Sequence, residues 1–410
     1  MSQTCRYCHA SLTQTLVDLG ETPLANAYLP TANLAALEAE RVFPLHVMVC
    51  SQCWLVQTTE TVNAEGIFSH DYAYLSSYSA GWVEHARLYA LEMAKRFDLG
   101  PHSKVVEIAS NDGYLLQHFV TMGIPVLGVE PAGHAAELAE AKGVPTRVMF
   151  FDEETAAQLK AEGHGADLIA ANNVLAHVPD IRRFVAGFQV LLKPGGIATF
   201  EFPHLARLLD QVQFDTIYHE HYSYLSFTFV ERLMRDAGLM VFDVSRLPTH
   251  GGSLRLFVCH KGAQAVNQAV TDLHLEEINK GMDTAAGYVG MADKVTSILS
   301  DFRTFLKHCK SEKKMVAGYG AAAKGNTFLN CAGITAADIA FVVDRNPEKQ
   351  GTLLPGSHIP VLSPTKIARQ RPDYLVILPW NIADEVMEEQ KSIRDWGGKF
   401  VTAIPKLSLR

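Results

Sequence analysis

Eight consecutive residues carry the densest chemistry in this chain. Asp215-Thr-Ile-Tyr218-His219-Glu220-His221-Tyr222 packs two phenols, two carboxylates and two imidazoles together. That is enough for acid–base work on a carbonyl compound. Carbon is a poor nucleophile unless a neighbouring carbonyl acidifies its proton. Histidine, with an ordinary pKa near ~6.5, suits the base that removes it. A tyrosine hydroxyl or a second histidine can donate to the enolate oxygen that forms. His221 is the expected base, oriented by Glu220. His219 lies between stronger candidates and could equally face solvent. A lone histidine is more often a surface or core residue, so the clustering is the signal.

A second site lies upstream. Val105-Val-Glu107-Ile-Ala109-Ser-Asn111-Asp112-Gly113 reads as a buried strand, a tight turn and the start of a helix. Backbone N–H groups at such a turn face a ligand. The next strand ends in Glu130, an acidic residue roughly 20 residues on, where a ribose would offer its two hydroxyls. Asp152 could meet an adenine edge. Asn172 stands at the carboxyl end of another strand, where open α/β sheets bind ligands, and His177 follows it. The set predicts an adenosyl cofactor held by Glu107, Ala109, Asn111, Asp112, Gly113, Glu130, Asp152 and Asn172.

These residues need a scaffold. Strand signals at Lys104–Ile108, Val126–Glu130, Asp167–Ala171 and Ile197–Glu201 alternate with helical stretches at 114–122 and through Lys142. That alternation predicts a parallel, doubly wound α/β sheet. Leu191-Leu-Lys-Pro-Gly-Gly196 reads as a turn. A helix is expected over about 80–97, and a helical stretch over about 267–310. A second alternating region follows, with Lys314-Met-Val-Ala-Gly-Tyr-Gly, Ile339–Asp344 and Tyr374–Leu378. Before all of these come two Cys-x-x-Cys pairs, Cys5/Cys8 and Cys50/Cys53, among seven cysteines. Four thiolates complete a closed tetrahedral site, so a structural zinc is expected. The organisation expected is a zinc-binding module over 1–70, a cofactor-binding domain over 71–262 and a second Rossmann-like domain over 263–410.

Composition narrows the partners. Lys+Arg 36 against Asp+Glu 44 gives a net charge of −8, which argues against non-specific binding to nucleic acid or anionic membranes. No run approaches the ~18–20 apolar residues of a membrane helix. The first residues lack the basic-then-apolar pattern of a signal peptide. A cytoplasmic monomer acting on a small molecule is the expectation.

Glu107 to Gly113, Glu130, Asp152 and the Leu-Leu-Lys-Pro-Gly-Gly run, in this order and spacing, resemble the class I S-adenosylmethionine-dependent methyltransferases. One departure stands out. Of the usual Glu-x-Gly-x-Gly-x-Gly loop only Gly113 remains, so the loop should be less permissive. The whole chain is similar to the nucleotide-sugar C-methyltransferases, in particular those that branch C3 of dTDP-linked 4-keto-deoxysugars. The motifs that carry this are Tyr72-Ala-Tyr74-Leu-Ser-Ser, Ser110-Asn-Asp-Gly113, His177-Val-Pro, Tyr218-His-Glu220-His221, His250-Gly251-Gly252, Gly318-Tyr-Gly320-Ala-Ala-Ala-Lys324 and Pro379-Trp-Asn381. The resemblance places Tyr72, His177, Tyr218, Glu220 and His221 at the sugar. It implies substrate contacts from Tyr74, His250, Gly251, Lys324 and Asn381, with Lys324 suited to a diphosphate.

Rival readings remain open on sequence alone. Gly318-x-Gly320-x-x-Ala323 satisfies a dinucleotide fingerprint on paper, which would suit an NAD-dependent oxidoreductase. Methylation at oxygen or nitrogen of a small molecule needs no carbon acid. A zinc-ribbon module on inactive α/β domains would have no need of the Tyr-x-Glu-His cluster.

Overall fold

The computed structural model describes residues 3–30, 37, 39–59 and 75–410. Tyr72 and Tyr74 therefore lie outside the described residues. The central sheet has seven strands. Their order is Leu239–Leu247, Ser253–His260, Leu192–Pro203, Ala166–Asn172, Val105–Ile108, Val126–Val129 and Thr146–Arg147. The last five run parallel, and Ser253–His260 is antiparallel to both neighbours. Every residue of Val105–Ile108 and Val126–Val129 is buried, as parallel strands covered on both faces must be. Strand order reverses at Val105–Ile108. The crevice for a ligand opens beyond its carboxyl end.

The expected helix over 80–97 forms at Ala80–Arg96, with Ser79 capping it by accepting from the Trp82 N–H. Two expectations need correction. The stretch 267–310 is two helices, Gln268–Asn279 and Met291–Ser311. Left-handed Gly281 and Gly290 bound the break. The Lys-Pro-Gly-Gly run opens the strand Leu192–Pro203, with a register irregularity against Ala166–Leu168. Gly196 is needed there because a Cβ would meet the Ala166 carbonyl oxygen at 2.7 Å.

The C-terminal sheet places Val361–Leu362, Val342–Val343, Val316–Tyr319, Tyr374–Ile377 and Lys399–Thr402 in parallel. Ser408–Leu409 adds an antiparallel edge. The whole is thus a mixed α/β structure with two Rossmann-like sheets.

The N-terminal module joins these bodies. Its strands Gln14–Pro23, Val42–Val49 and Val56–Thr58 are antiparallel, and Ser223–Tyr224, just after His221, completes the sheet. Leu29–Pro30 pairs with Thr352–Leu353 of the C-terminal body. Among the described residues the module has no core separate from the two bodies. Cys5, Tyr7, Cys50 and Leu55 pack into the central body's core, whereas Leu16, Val47 and Val56 pack with Phe302 and Phe328.

Each Cys-x-x-Cys pair forms the same small knuckle. The His9 N–H donates to the Cys5 carbonyl and the Trp54 N–H to the Cys50 carbonyl, both at 2.9 Å. His9 and Trp54 are both left-handed, with φ of 61° and 64°. The four sulfurs lie within 4.8 Å of one another. Cys5 faces Cys53 at 3.5 Å and Cys8 faces Cys50 at 3.4 Å. Zinc–thiolate bonds of ~2.3 Å require sulfur separations of roughly 3.8 Å in a tetrahedron, so the cluster fits zinc. Four sulfurs leave no open position, and the metal's role is structural.

A structural zinc contributes ~10–16 kcal/mol to folding in isolated fingers, and a module split between two cores should depend on it strongly. Cys50→Ser should take elemental zinc from one per chain to none and lower the melting temperature in calorimetry. Wild-type protein purified without chelator and free of zinc would refute the assignment.

Candidate active site

The crevice at the sheet's carboxyl ends opens into a cavity of about 760 Å³ that all three parts of the chain line. Ile108, Asn111, Glu130 and Asn172 come from the central sheet's strand ends. Asn26 comes from the N-terminal module, and Lys324 and Lys349 from the C-terminal body.

At the cofactor end, the loop after Val105–Ile108 turns without its usual glycines. Ala109, Asn111 and Gly113 all take positive φ, at 57°, 49° and 75°. Asparagine tolerates this conformation, whereas alanine pays for it locally. Hydrogen bonds hold the strained turn. The Asn111 N–H donates to Glu130 Oε2 at 2.9 Å, and Asn111 Oδ1 accepts from the Ser76 N–H at 2.8 Å. Glu130 also accepts from the Ala132 N–H at 2.8 Å. Burial raises the Glu130 pKa, and those two N–H groups oppose the rise.

Not every expected cofactor residue lines the cavity. Glu130, Asn111, Ala109, Asp152 and Asn172 do, whereas Glu107, Asp112 and Gly113 stand behind its wall. Asp112 is held by Lys142, whose Nζ meets its carbonyl at 2.7 Å and its carboxylate at 3.0 Å. Gly113 faces a helix, where a Cβ would meet Ala139 at 3.1 Å. Glu107 is 1% exposed, and burial pushes its pKa well up. Asp152 caps the helix Glu153–Ala161 through Oδ1 and pairs with Arg183 through Oδ2 at 2.8 Å, so both its oxygens are engaged. Asn172 differs. Among the described residues its buried amide nitrogen and oxygen have no partner at the cavity wall, as expected of a group awaiting a polar ligand. Strained loop, ribose-ready carboxylate and orphaned amide fit an adenosyl cofactor.

At the far end the histidines gather. His177 and His221 sit edge to face with ring centroids 4.6 Å apart, and the Tyr218 ring lies 3.9 Å from His221. His177 follows the strand Ala166–Asn172 in a short 3-10 turn, and its imidazole meets the Glu220 main-chain carbonyl. Orientation of His221 by Glu220 is the expectation; the orienting bond found runs from His221 Nδ1 to the Thr216 carbonyl at 2.7 Å. That bond fixes the proton on Nδ1 and leaves Nε2 as the basic nitrogen. The Glu220 carboxylate accepts from the Asn26 amide at 2.6 Å. His219, open to solvent as far as sequence told, is 2% exposed and hydrogen-bonds the Phe43 and Pro44 carbonyls through Nε2.

His250 completes the group. It is left-handed, at φ 54°, and its ring lies 5.2 Å from Trp82 and 3.3 Å from the Asn173 amide. Gly251 packs behind it, where a Cβ would strike Trp380 at 2.5 Å. Burial lowers the pKa of His177 and of His250 to about 4. Burial first, and repulsion from His177 whenever that ring is protonated second, hold His221 well below its ordinary value. All three are therefore neutral at neutral pH.

Two lysines face the same space. Lys324 donates to Asn381 Oδ1 at 2.8 Å, lies 5.3 Å from the Trp380 ring, and has its pKa lowered by burial. Asn381 itself is outside the cavity wall. Lys349 donates to the Ala321 carbonyl at 2.7 Å and lies 5.0 Å from the Tyr28 ring. Behind Lys324, burial raises the Asp215 pKa to about 6, and Trp380 donates to its carboxylate at 2.8 Å. Asn26, Lys349 and Trp82 escaped sequence reading, since none sits in a motif and their roles come from contacts across distant segments; Thr216 lies inside the Asp215–Tyr222 run, but its main-chain role could not be read from its side chain. The C-terminal glycine loop packs Gly320 against the chain and turns Ala322, Ala323 and Lys324 to the cavity. A Cβ at Gly320 would meet Pro379 at 2.5 Å, and the Ala321 N–H donates to Asp344 at 2.7 Å.

Comparison with known proteins matches this architecture. Residues 248–405 match the family described as "C-methyltransferase C-terminal domain", residues 82–244 a "Methyltransferase domain" and residues 5–68 a "Putative zinc binding domain". C-methyltransferase NovU of Streptomyces niveus is 36% identical over 404 residues, covering 98% of this chain and 95% of that protein. A ubiquinone biosynthesis O-methyltransferase of Burkholderia pseudomallei is 25% identical over 206 residues, covering 46% of this chain and 80% of its own. A solved magnesium protoporphyrin IX methyltransferase from Synechocystis PCC 6803 overlies 50% of this chain and 100% of its own at 13% identity. Its TM-score of 0.36 is too low to decide anything. Among the described residues no helix is long and apolar enough to cross a membrane. Full-length similarity and three family matches in register with the fold establish that this chain belongs to the S-adenosylmethionine-dependent C-methyltransferases, with a zinc-binding N-terminal module.

Proposed function

We propose that the enzyme methylates C3 of a nucleotide-linked 4-keto-deoxysugar, with dTDP as the carrier. One observation supports this most: three neutral histidines and two half-buried lysines line one cavity. Among the described residues, neither Lys324 nor Lys349 has a carboxylate at ion-pair distance. Burial lowers the pKa of both lysines, Asp215, Asp344 and Glu220 offset this only from a distance, and a bound diphosphate would bring an anion into contact. The motif resemblance supplies the sugar and the carrier. A division of the chain near residues 70 and 262 goes with this reading, the substrate lying between the bodies.

S-adenosylmethionine would be held by Asn111, Glu130 and Asn172, would supply an electrophilic methyl group and would leave as S-adenosylhomocysteine. The protein's own residues do the rest. Lys324 and Lys349 hold the diphosphate. Nε2 of His221 takes the C3 proton, and the C3–H electron pair moves into the C3–C4 bond as the C4 oxygen becomes an enolate. Tyr218 or His177 donates to that oxygen. The pair then returns through C3 to the methyl carbon as its bond to sulfur breaks, and the proton stays on His221. The neighbouring diphosphate favours that imidazolium, which the empty cavity disfavours.

Methyl-¹³C-labelled S-adenosylmethionine and dTDP-4-keto-6-deoxyglucose should yield a product whose labelled methyl couples to a ring carbon in NMR. An O-methyl signal would contradict the proposal. Further outcomes follow from named groups. His221→Ala should slow turnover by ~10²–10⁴-fold with cofactor affinity unchanged. Loss of the same size in His177→Ala but not in His221→Ala would reassign the base. Lys349→Ala should raise the KM for the sugar nucleotide by ~10–100-fold, the scale of a lost charged hydrogen bond. Glu130→Ala should weaken S-adenosylmethionine binding by ~1–3 kcal/mol in calorimetry.

The pH dependence has a definite sign. The folded-state pKa of His221 is depressed, so its neutral, basic form persists as pH falls through 6.5. The acid limb of kcat/KM, which reports the free enzyme, should lie below 6.5. An acid limb at or above that value would remove His221 from the base role.

A further inference from the structure

Arg6 lies inside the first zinc knuckle, between Cys5 and Cys8, yet its guanidinium points away from the metal cluster. One terminal nitrogen donates to the Thr58 carbonyl at 2.6 Å and the other to the Tyr222 carbonyl. The Arg6 N–H is fixed too, donating to Gln57 Oε1 at 2.9 Å, while Gln57 Nε2 donates to Cys5 Sγ at 3.1 Å. The knuckle thus sets where the guanidinium stands. Burial lowers the Arg6 pKa only to about 10, so it stays charged at neutral pH.

The peptide it grips is next to His221. On its other side, the Tyr222 N–H donates to the Ala176 carbonyl at 2.9 Å, and Ala176 precedes His177. The Thr58 N–H adds a second donor to the Tyr222 carbonyl at 3.2 Å. One residue's backbone therefore ties three things together: the zinc knuckle, the turn bearing His177 and the chain bearing His221. Tyr7, also inside the knuckle, hydrogen-bonds Asp236 and packs edge-on against Phe229 at 5.2 Å, anchoring the knuckle to the central body. Within the described residues, a cation buried against two main-chain carbonyls serves no ion pair of its own.

We propose that Arg6 is a positioning residue for proton abstraction: through the Tyr222 carbonyl it sets His221 against His177 and the bound sugar, making the zinc knuckle a part of the active-site framework. This rests on the reading of His221 as the base. A displacement near 1 Å of a reacting group can cost ~10²-fold in rate without changing what binds. Lysine in place of arginine keeps the charge but loses the planar fork that reaches two carbonyls at once.

The test uses full-length zinc-loaded Arg6→Lys and Arg6→Ala. Each is assayed for zinc content, S-adenosylmethionine affinity, KM, kcat and deuterium uptake at C3 of dTDP-4-keto-6-deoxyglucose in D₂O. The proposal expects zinc, cofactor affinity and KM to hold. It expects kcat and deuterium uptake to fall together, by ~10–100-fold in Arg6→Lys, with partial rescue of Arg6→Ala by added guanidinium at low concentration. Undiminished uptake in a zinc-replete variant, with the wild type exchanging normally, would overturn this inference alone. Variants that shed zinc or cofactor in step with activity would make Arg6 a residue of module stability and overturn it too. Absence of exchange in the wild type would instead remove the proton-abstraction reading, and Arg6's part in it.

Discussion

The Tyr222 peptide is the constraint on which the site's geometry turns. Its N–H is spent on the Ala176 carbonyl, and its carbonyl on Arg6 and Thr58. Backbone groups buried this deeply cannot go unpaired without a cost of ~1–3 kcal/mol each. The chain at 218–224 therefore has one way to lie, between the His177 turn and the N-terminal sheet. His221 is carried into the cavity by that placement and locked by the Thr216 carbonyl. His219 points the opposite way, into the N-terminal sheet. Alternate residues of one run are thus divided between the cavity and the anchorage.

Electrostatics builds on this frame. The cavity gathers His177, His221, His250, Lys324 and Lys349, with Asp215 behind, in a region where burial sets every shift. Desolvation keeps the imidazoles neutral, which a base needs, and lowers the pKa of both lysines, which Asp215, Asp344 and Glu220 offset only from a distance. A diphosphate answers the second condition and alters the first, since its charge favours a protonated imidazole beside it. Substrate binding and proton removal are coupled through a shared low-dielectric space. The sequence resemblance points to a nucleotide sugar, and the arrangement of charge is compatible with the proposal of that ligand.

Much of this was legible in the chain before folding. Alternating strands and helices predicted the parallel sheet, because buried strands must be apolar on both faces. Two Cys-x-x-Cys pairs predicted the metal cluster, because spacing fixes which sulfurs can meet. His177, His221 and Tyr218 were readable from their motifs, and the structure brings them within ring contact. Other features were not readable. The Ala109 and Asn111 turn looked unpermissive, yet both residues are left-handed because Glu130 and the Ser76 N–H hold the loop from outside it. Asn26, Lys349 and Arg6 carry no pattern, since each acts on a segment far away in sequence. The orienting partner of His221 is a main-chain carbonyl, which any residue could supply. Periodicity reports what one element buries; it is silent on which distant backbone a side chain will grip.

The central claim is that this enzyme makes carbon nucleophilic by taking its proton. It is tested most directly by placing wild-type enzyme, dTDP-4-keto-6-deoxyglucose and S-adenosylhomocysteine in D₂O and following C3 by NMR. With no methyl group to transfer, deprotonation should become visible as deuterium entering C3 at an enzyme-dependent rate. No deuterium at C3 under conditions where S-adenosylmethionine gives methylated product would contradict the account.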